Sequence, residues 1–171
     1  CYRIVACFAD GAESCASEET CSQLNLDVPI ITHVSVGATD ASAGIDTVIW
    51  SMPKIVDTSL YPGPYHYKIY QSADFTSAAS LIASTPINAV LDLTDTVYID
   101  NGINTAVDPH SYKVVLYSDT TTVGSTHVAS SIHLSVSTAD KSLNLSWQEN
   151  VPWLNTEYFV YRFNDITLNF D

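Results

Sequence analysis

One octapeptide is written twice in this chain. "HVSVGATD" fills 33–40 and "HLSVSTAD" fills 133–140, a shift of 100 residues. Each copy leads into a run ending in tryptophan, "DTVIW" at Trp50 and "LNLSW" at Trp147. Each tryptophan is followed by a proline-containing loop, "SMPKIVDTSLYPGP" and "QENVPW", and then by a tyrosine-rich run, "YKIYQS" and "YFVYRF". A second echo links the opening to the middle: "CYRIVACF" (1–8) resembles "SYKVVLYS" (111–118) at a shift of 110. A period near 100 residues is far too long for a solenoid, whose repeats run to about 50. It suits a two-sheet sandwich domain of about 100 residues. The chain therefore reads as the closing hairpin of one unit (1–25), one whole unit (26–131) and the opening of a third (132–171). On that reading it is a piece of something longer.

The local signals agree. Short alternating runs recur at 2–8, 33–36, 47–51, 65–72, 96–100, 112–118, 132–137, 143–147 and 157–163. They are rich in Val, Ile, Tyr and Trp, which fit a pleated, half-buried surface, and Gly, Pro, Asn, Asp and Ser punctuate them. Only "SADFTSAASLIAS" (72–84) allows a short helix, and a small strand in a crossing loop serves it equally well. The expected fold class is all-β, with tandem immunoglobulin-like sandwiches. The linkers at 25–32 and 127–133 are short, which favours a stiff rod over a flexible string.

Charge removes several function classes. The sequence carries 19 Asp and Glu against 6 Lys and Arg, a formal charge of −13. Nucleic-acid binding needs clustered cations, and none occurs. An anionic membrane surface is disfavoured for the same reason. No apolar run approaches the roughly 20 residues a spanning helix needs. Hydrophobic residues make up 46%, enough for a packed core.

All four cysteines, Cys1, Cys7, Cys15 and Cys21, lie in the first 21 residues. "CYRIVACF" and "SCASEETC" read as antiparallel strands joined at Asp10-Gly11, a strong turn dipeptide. With the turn centred on Gly11, opposed residues have numbers adding to 22, so Cys7 faces Cys15 and Cys1 faces Cys21. Directly opposed residues have Cα atoms about 4.5–5.5 Å apart, within disulfide reach. Disulfides Cys1–Cys21 and Cys7–Cys15 are expected, each contributing about 2–4 kcal/mol and implying an oxidising compartment. Free thiols are the alternative, and the spacing suits a zinc knuckle poorly. Tyr2, Ile4, Ala6 and Phe8 fall on the opposite, core-directed face.

Catalytic signatures do not emerge, and the chain is read as no enzyme. There is no G-x-S-x-G elbow, P-loop, G-x-G-x-x-G or HExxH. The five histidines, His33, His66, His110, His127 and His133, form no ligand cluster, and no metal site is expected from them. Asp92/Asp95 and Glu18/Glu19 read as solvated loop acids. Calcium at a unit junction is conceivable only through Asp40 and Asp140, which recur in register without an EF-hand loop. Trp50 and Trp147 read as core anchors. Tyr61, Tyr65 and Trp153 lie in or beside proline-containing loops, where packing over the sandwich end is the favoured reading and stacking on a sugar or partner the alternative; "YPGPYHY" (61–67) joins stiff prolines to amphipathic rings, and Tyr61 and Tyr65 are the candidate contact surface.

Trp50 on the second strand, Tyr67/Ile69/Tyr70 on the third and Tyr112/Val114/Leu116 on the sixth resemble a fibronectin type III domain. Trp147 with Tyr158/Val160/Tyr161, and Tyr2/Ile4/Ala6, resemble the same positions. "CYRIVACFADGAESCASEETC" and "SLNLSWQENVPWLNTEYFVYR" resemble the fibronectin-like arrays of very large Bacteroidetes surface proteins. Those proteins carry a gliding-motility-associated C-terminal sorting domain and leave by the type 9 secretion system. The resemblance spans essentially the whole chain, but no sorting domain lies within it. It implies a secreted, non-catalytic structural repeat of an adhesin on the outer-membrane exterior. The implied partners are neighbouring fibronectin type III-like domains, with the type 9 translocon and shuttle proteins in export. A spacer or a carbohydrate- or protein-binding module of a secreted polysaccharide-degrading enzyme is the alternative. Bacteroidetes O-glycosylation at Asp-[Ser/Thr]-[apolar or Thr] implies Thr120, in "DTT" (119–121) in the loop between the sixth and seventh strands, as an acceptor.

Overall fold

A computed structural model describes residues 2–21, 28–89, 92–164 and 169–170. Those residues contain strands and no helix. In chain order the strands of the middle unit are β1 (Ile30–Ala38), β2 (Gly44–Ser51), β3 (Tyr65–Ser72), β4 (Ser80–Ser84), β5 (Val97–Ile103), β6 (Ser111–Ser118), β7 (Thr121–Ser125) and β8 (Ala129–Ser130). The third unit contributes β9 (His133–Ala139) and β10 (Ser142–Gln148), and two-residue strands β11 (Phe163–Asn164) and β12 (Asn169–Phe170) follow. All pairings are antiparallel. No helix among the described residues is long and apolar enough to cross a membrane.

The middle unit closes as two sheets. One has the order β1-β2-β5, and the other the order β4-β3-β6-β7 with β8 also on β6. Period-two alternation decides what goes between them. Along β2, Gly44, Asp46, Val48 and Trp50 are buried, while Ile45, Thr47 and Ile49 face outward. From the other sheet come Tyr65, Tyr67, Ile69, Tyr112, Val114, Leu116 and Val123. Trp50 meets Tyr67 edge to face, ring centroids 5.3 Å apart at 77°. Each such large side chain stabilises by about 1.5–3 kcal/mol on full burial. Burial pushes the Tyr67 hydroxyl up to about 12, so it stays neutral.

The ambiguous 72–84 segment is a turn and then a strand. Asp74 caps the turn, its Oδ1 accepting from the Thr76 and Ser77 amides at 2.8 and 2.7 Å. The Ser77 hydroxyl, together with those amides, holds the Asp74 carboxyl down at about 2. Short polar side chains that bond their own backbone compete with helix in this way, and Ser80–Ser84 then pairs with β3.

The flanking pieces do not close. Every described residue of 2–21 is exposed except half-buried Ser14. The expected core face is bare, with Tyr2 at 77% exposure and Ile4 at 76%. The expected strand at 2–8 reduces to two isolated bridges, Tyr2↔Thr20 and Cys7↔Glu13. The expected strand at 157–163 is absent over 157–162. In β9 and β10, Leu134, Val136, Leu143, Leu145 and Trp147 are all exposed.

The hairpin register corrects half of the disulfide scheme. Tyr2 and Thr20 exchange both backbone bonds, at 2.8 and 3.0 Å, as the expected register requires. Further in, the hydroxyls of Ser17 and Ser14 accept from the Ile4 and Ala6 amides, both at 3.0 Å. These serines interrupt the ladder, and two extra residues enter the second strand. Cys7 therefore lies opposite Glu13, and Cys7 and Cys15 are exposed free thiols rather than a pair. Cys21 is not one of the free thiols, and its expected partner Cys1 lies outside the described residues.

Candidate functional site

The joint between the middle and third units is built from main-chain groups. β8 ends at Ser130, whose amide donates to the Asn150 carbonyl at 2.7 Å. The Asn150 amide donates back to the Ser130 hydroxyl at 2.7 Å. The Asn150 side-chain amide reaches the Phe75 carbonyl at 2.8 Å, in the turn between β3 and β4. The Phe75 ring meets His133 edge-on at 6.5 Å. Trp153, from the loop after β10, packs against the middle unit's core. Pro152 and Trp153 share an apolar groove with Val28, Pro29, Ile31 and His127. So the "QENVPW" loop folds back onto the preceding unit. Its Asn and Trp are the residues that do so, and no local pattern singles out Asn150.

Tyr61 and Tyr65 of the proline-tyrosine loop pack over the sandwich. Tyr65 is only 2% exposed, and its hydroxyl donates to the Tyr61 carbonyl. Tyr61 is half-buried against the core. Tyr65 also exchanges backbone bonds with Asn88, at 2.7 and 2.9 Å. Gly63 has φ +90, and a Cβ there would meet the Tyr65 ring at 2.9 Å, so glycine is what lets the ring close over the turn. The rigid prolines and rings of this loop seal one end of the sandwich.

On the outer face of the β4-β3-β6-β7 sheet lie Tyr70 on β3 and Tyr117 on β6, half-buried, with hydroxyls 3.3 Å apart. Lys68 Nζ lies 4.2 Å above the centre of the Tyr117 ring, and Lys113 Nζ 5.4 Å from that of Tyr70. His66 stacks on Tyr117 at 5.4 Å and 15°. Two of the chain's six lysines and arginines thus sit on tyrosine rings of one sheet face. Cross-strand register places them there, because His66 opposes Tyr117 and Tyr70 opposes Lys113.

Thr120 sits in the exposed two-residue turn between β6 and β7, beside Asp119 at φ 54. Asp40 caps its own turn, accepting from the Ser42 and Ala43 amides at 2.7 and 2.8 Å. Those bonds pull its carboxyl below the usual range. Asp140 is exposed in the β9–β10 turn. Among the described residues no three His, Cys, Asp or Glu form a group that could hold a metal ion. Asp92 and Asp95 are exposed, and Glu19 pairs with Arg3 at 3.3 Å.

The acids that matter were not read from the sequence. Asp46 on β2 and Asp100 on β5 are directly opposed, on the inner face of their sheet. Asp46 is fully buried, Asp100 nearly so. The Tyr112 hydroxyl, from the facing sheet, lies 3.0 Å from Oδ2 of each. His110 Nδ1 is 3.7 Å from Asp46 Oδ2. Burial pushes the Asp46 carboxyl up to about 6, opposed by the Tyr112 bond and aided by Asp100. Burial also raises Asp100 and lowers His110. A signal was present: Asp46 falls in the same two-residue phase as Val48 and Trp50.

No family model and no curated protein matches this chain.

Proposed function

We propose that the chain is a non-catalytic structural repeat, a run of fibronectin type III-like sandwiches that spaces and extends a secreted cell-surface adhesin of the type 9 secreted, gliding-motility-associated kind. The observation that carries this reading is the joint. A spacer has to pass load and direction from unit to unit. Reciprocal bonds between Ser130 and Asn150, the Asn150–Phe75 bond and packed Trp153 supply that connection through backbone and core. The strand order β1-β2-β5 against β4-β3-β6-β7 supports the fibronectin type III assignment. The exposed Asp119-Thr120 turn supports Thr120 as an O-glycan acceptor, because a transferase needs a hydroxyl on an accessible, locally extended or turning backbone.

The deciding experiment is mass spectrometry of the native parent polypeptide, unreduced and read to its C-terminus. Many units ending in a sorting domain, with a glycan on Thr120, is the expected result. A catalytic domain in the same polypeptide would overturn it and make these units spacers of an enzyme. The binding-module reading has one observation in its favour, the outward Tyr70/Tyr117/Lys68/Lys113 face. Aromatic rings flanked by cations are apt contact residues. Tyr117→Ala would then abolish glycan or protein binding and leave the fold intact.

A further inference from the structure

Two carboxylates directly opposite each other in one sheet repel, and burial makes the repulsion worse. The inner face of β2 and β5 contains such a pair, Asp46 and Asp100. The Tyr112 hydroxyl lies between them, 3.0 Å from Oδ2 of each, and Ser131 also hydrogen-bonds Asp46. A phenol has one proton and so donates to one carboxylate. The second 3.0 Å contact is a hydrogen bond only if that carboxyl carries its own proton and donates it to the Tyr112 oxygen. Two protons among three oxygens would satisfy both contacts at once. We propose that Asp46 and Asp100 share one acid proton through Tyr112, making the middle sandwich a pH-responsive element that tightens as its surroundings turn mildly acidic.

The surroundings favour holding that proton. Asp46 Oδ1 and His110 Nδ1 are buried without hydrogen-bond partners. Leaving a charged oxygen in that condition costs far more than leaving a neutral one. From β5, Tyr98 and Asp100 face the site, and Tyr112 faces it from β6. His110 and Asp108 approach from the loop before β6, and Ser131 from the end of β8. No lysine or arginine contributes to the shift of either carboxyl. Burial comes first among the causes that raise Asp46 to about 6. A carboxyl raised on folding binds its proton more tightly in the native state. Its stabilising effect is complete below the ordinary 3.8 and is lost as pH rises through about 6. His110 acts in the opposite sense. Its lowered value confers stability above the ordinary 6.5 that is lost as pH falls through its folded value. Comparing an Asp46 variant with the wild type at each pH isolates the carboxyl from the imidazole.

The site also adjoins the joint. The His110 amide donates to the Ser131 hydroxyl at 3.1 Å, and the Ser131 amide to the His110 carbonyl at 2.8 Å. Ser130, one residue earlier, holds Asn150. The acid pair is therefore linked to the connection between units through His110, Ser131 and Ser130.

Asparagine mimics the protonated acid: its amide donates to the Tyr112 oxygen while the phenol donates to Asp100. Thermal melts of the 171-residue chain from pH 5 to 8 test the proposal. The wild type should melt several degrees lower at pH 8 than Asp46→Asn, the difference narrowing by about half at pH 5 and closing only below the ordinary 3.8, as a shift of about two pH units in one group predicts for a domain of this size. An Asp46→Asn chain that melts below the wild type at pH 8 would overturn the proposal. Should that variant not fold, carboxyl carbon-13 titration of the wild type decides. An aspartate resonance moving near pH 6 supports the shared proton, and no aspartate titrating above about pH 5 overturns it.

Discussion

Trp50 and Trp147 end equivalent strands of equivalent repeats, yet Trp50 is 2% exposed and Trp147 39%. The strand under each is alike: β1 pairs with β2 as β9 pairs with β10, both antiparallel. What differs is the second sheet. Over Trp50 lie Tyr67, Ile69, Tyr112, Val114 and Leu116, whereas the ring beside Trp147 is Tyr158, at 5.4 Å, from a segment that is not a strand. A hairpin can take its register from local pattern and a tight turn, but burial needs the facing sheet. The N-terminal hairpin repeats the lesson from the other side. "CYRIVACF" has the pattern of β6 and lacks the neighbours of β6, so its Tyr2 and Ile4 are bare and its ladder is broken by serines.

The largest test of that contrast is a matched pair of substitutions. Trp50→Ala should cost about 3–5 kcal/mol, the range for a buried large aromatic. Trp147→Ala should cost under about 1 kcal/mol in the same chain. Chemical denaturation read at the middle unit checks both, and equal losses would erase the distinction. Next in size is Asn150→Ala, which removes the Phe75 bond and should cost about 1 kcal/mol at the joint. Its readout is faster amide exchange at Ser130 with β2 and β3 unaffected. Lys68→Ala should cost about 0.5–1 kcal/mol through the lost Tyr117 contact, and a Tyr117→Leu background should remove the effect. Smallest is Leu143→Asp, which writes Asp46 into its counterpart four residues before Trp147. On an exposed strand face it should change stability by less than about 0.5 kcal/mol, where an unpaired acid in the middle core would not.

Much of the middle unit was legible beforehand, for a physical reason. β3 was read at its full span, and β1, β2, β5 and β6 within three residues, because alternation and β-branched or aromatic content are local properties of those runs. β7 is implied after the 119–121 loop without a span, and β8 carries no local signal. They are short, polar and held by β6, so their strand character comes from their partner. The runs at 2–8 and 157–163 carried the same local signal as β3 without its neighbours, and local signal alone did not make them strands. The candidate site divides along the same line. Thr120 lies in the turn where local pattern put it, and Tyr65 turned inward because Gly63 and Asn88 fold the loop over. The acids weighed as carboxylate pairs were neighbours in sequence, Asp92 with Asp95 and Glu18 with Glu19. The pair with chemistry, Asp46 and Asp100, is 54 residues apart and meets only through register. Asn150 likewise acquires meaning only once the loop that carries it lies against the preceding unit, whereas Trp153 packs on the sandwich as its place beside a proline suggests.

Native-state hydrogen exchange across all 171 residues tests the central claim most directly, that one closed sandwich is clamped to an open neighbour. Amides of β2, β3 and β6 should exchange only through global unfolding, with Ser130 and Ser131 close to them through their bonds to Asn150 and His110. Amides of 2–21 and of β9 and β10 should exchange orders of magnitude faster. Protection of β9 and β10 equal to that of β6, or a Ser130 that exchanges as freely as the N-terminal hairpin, would contradict the account.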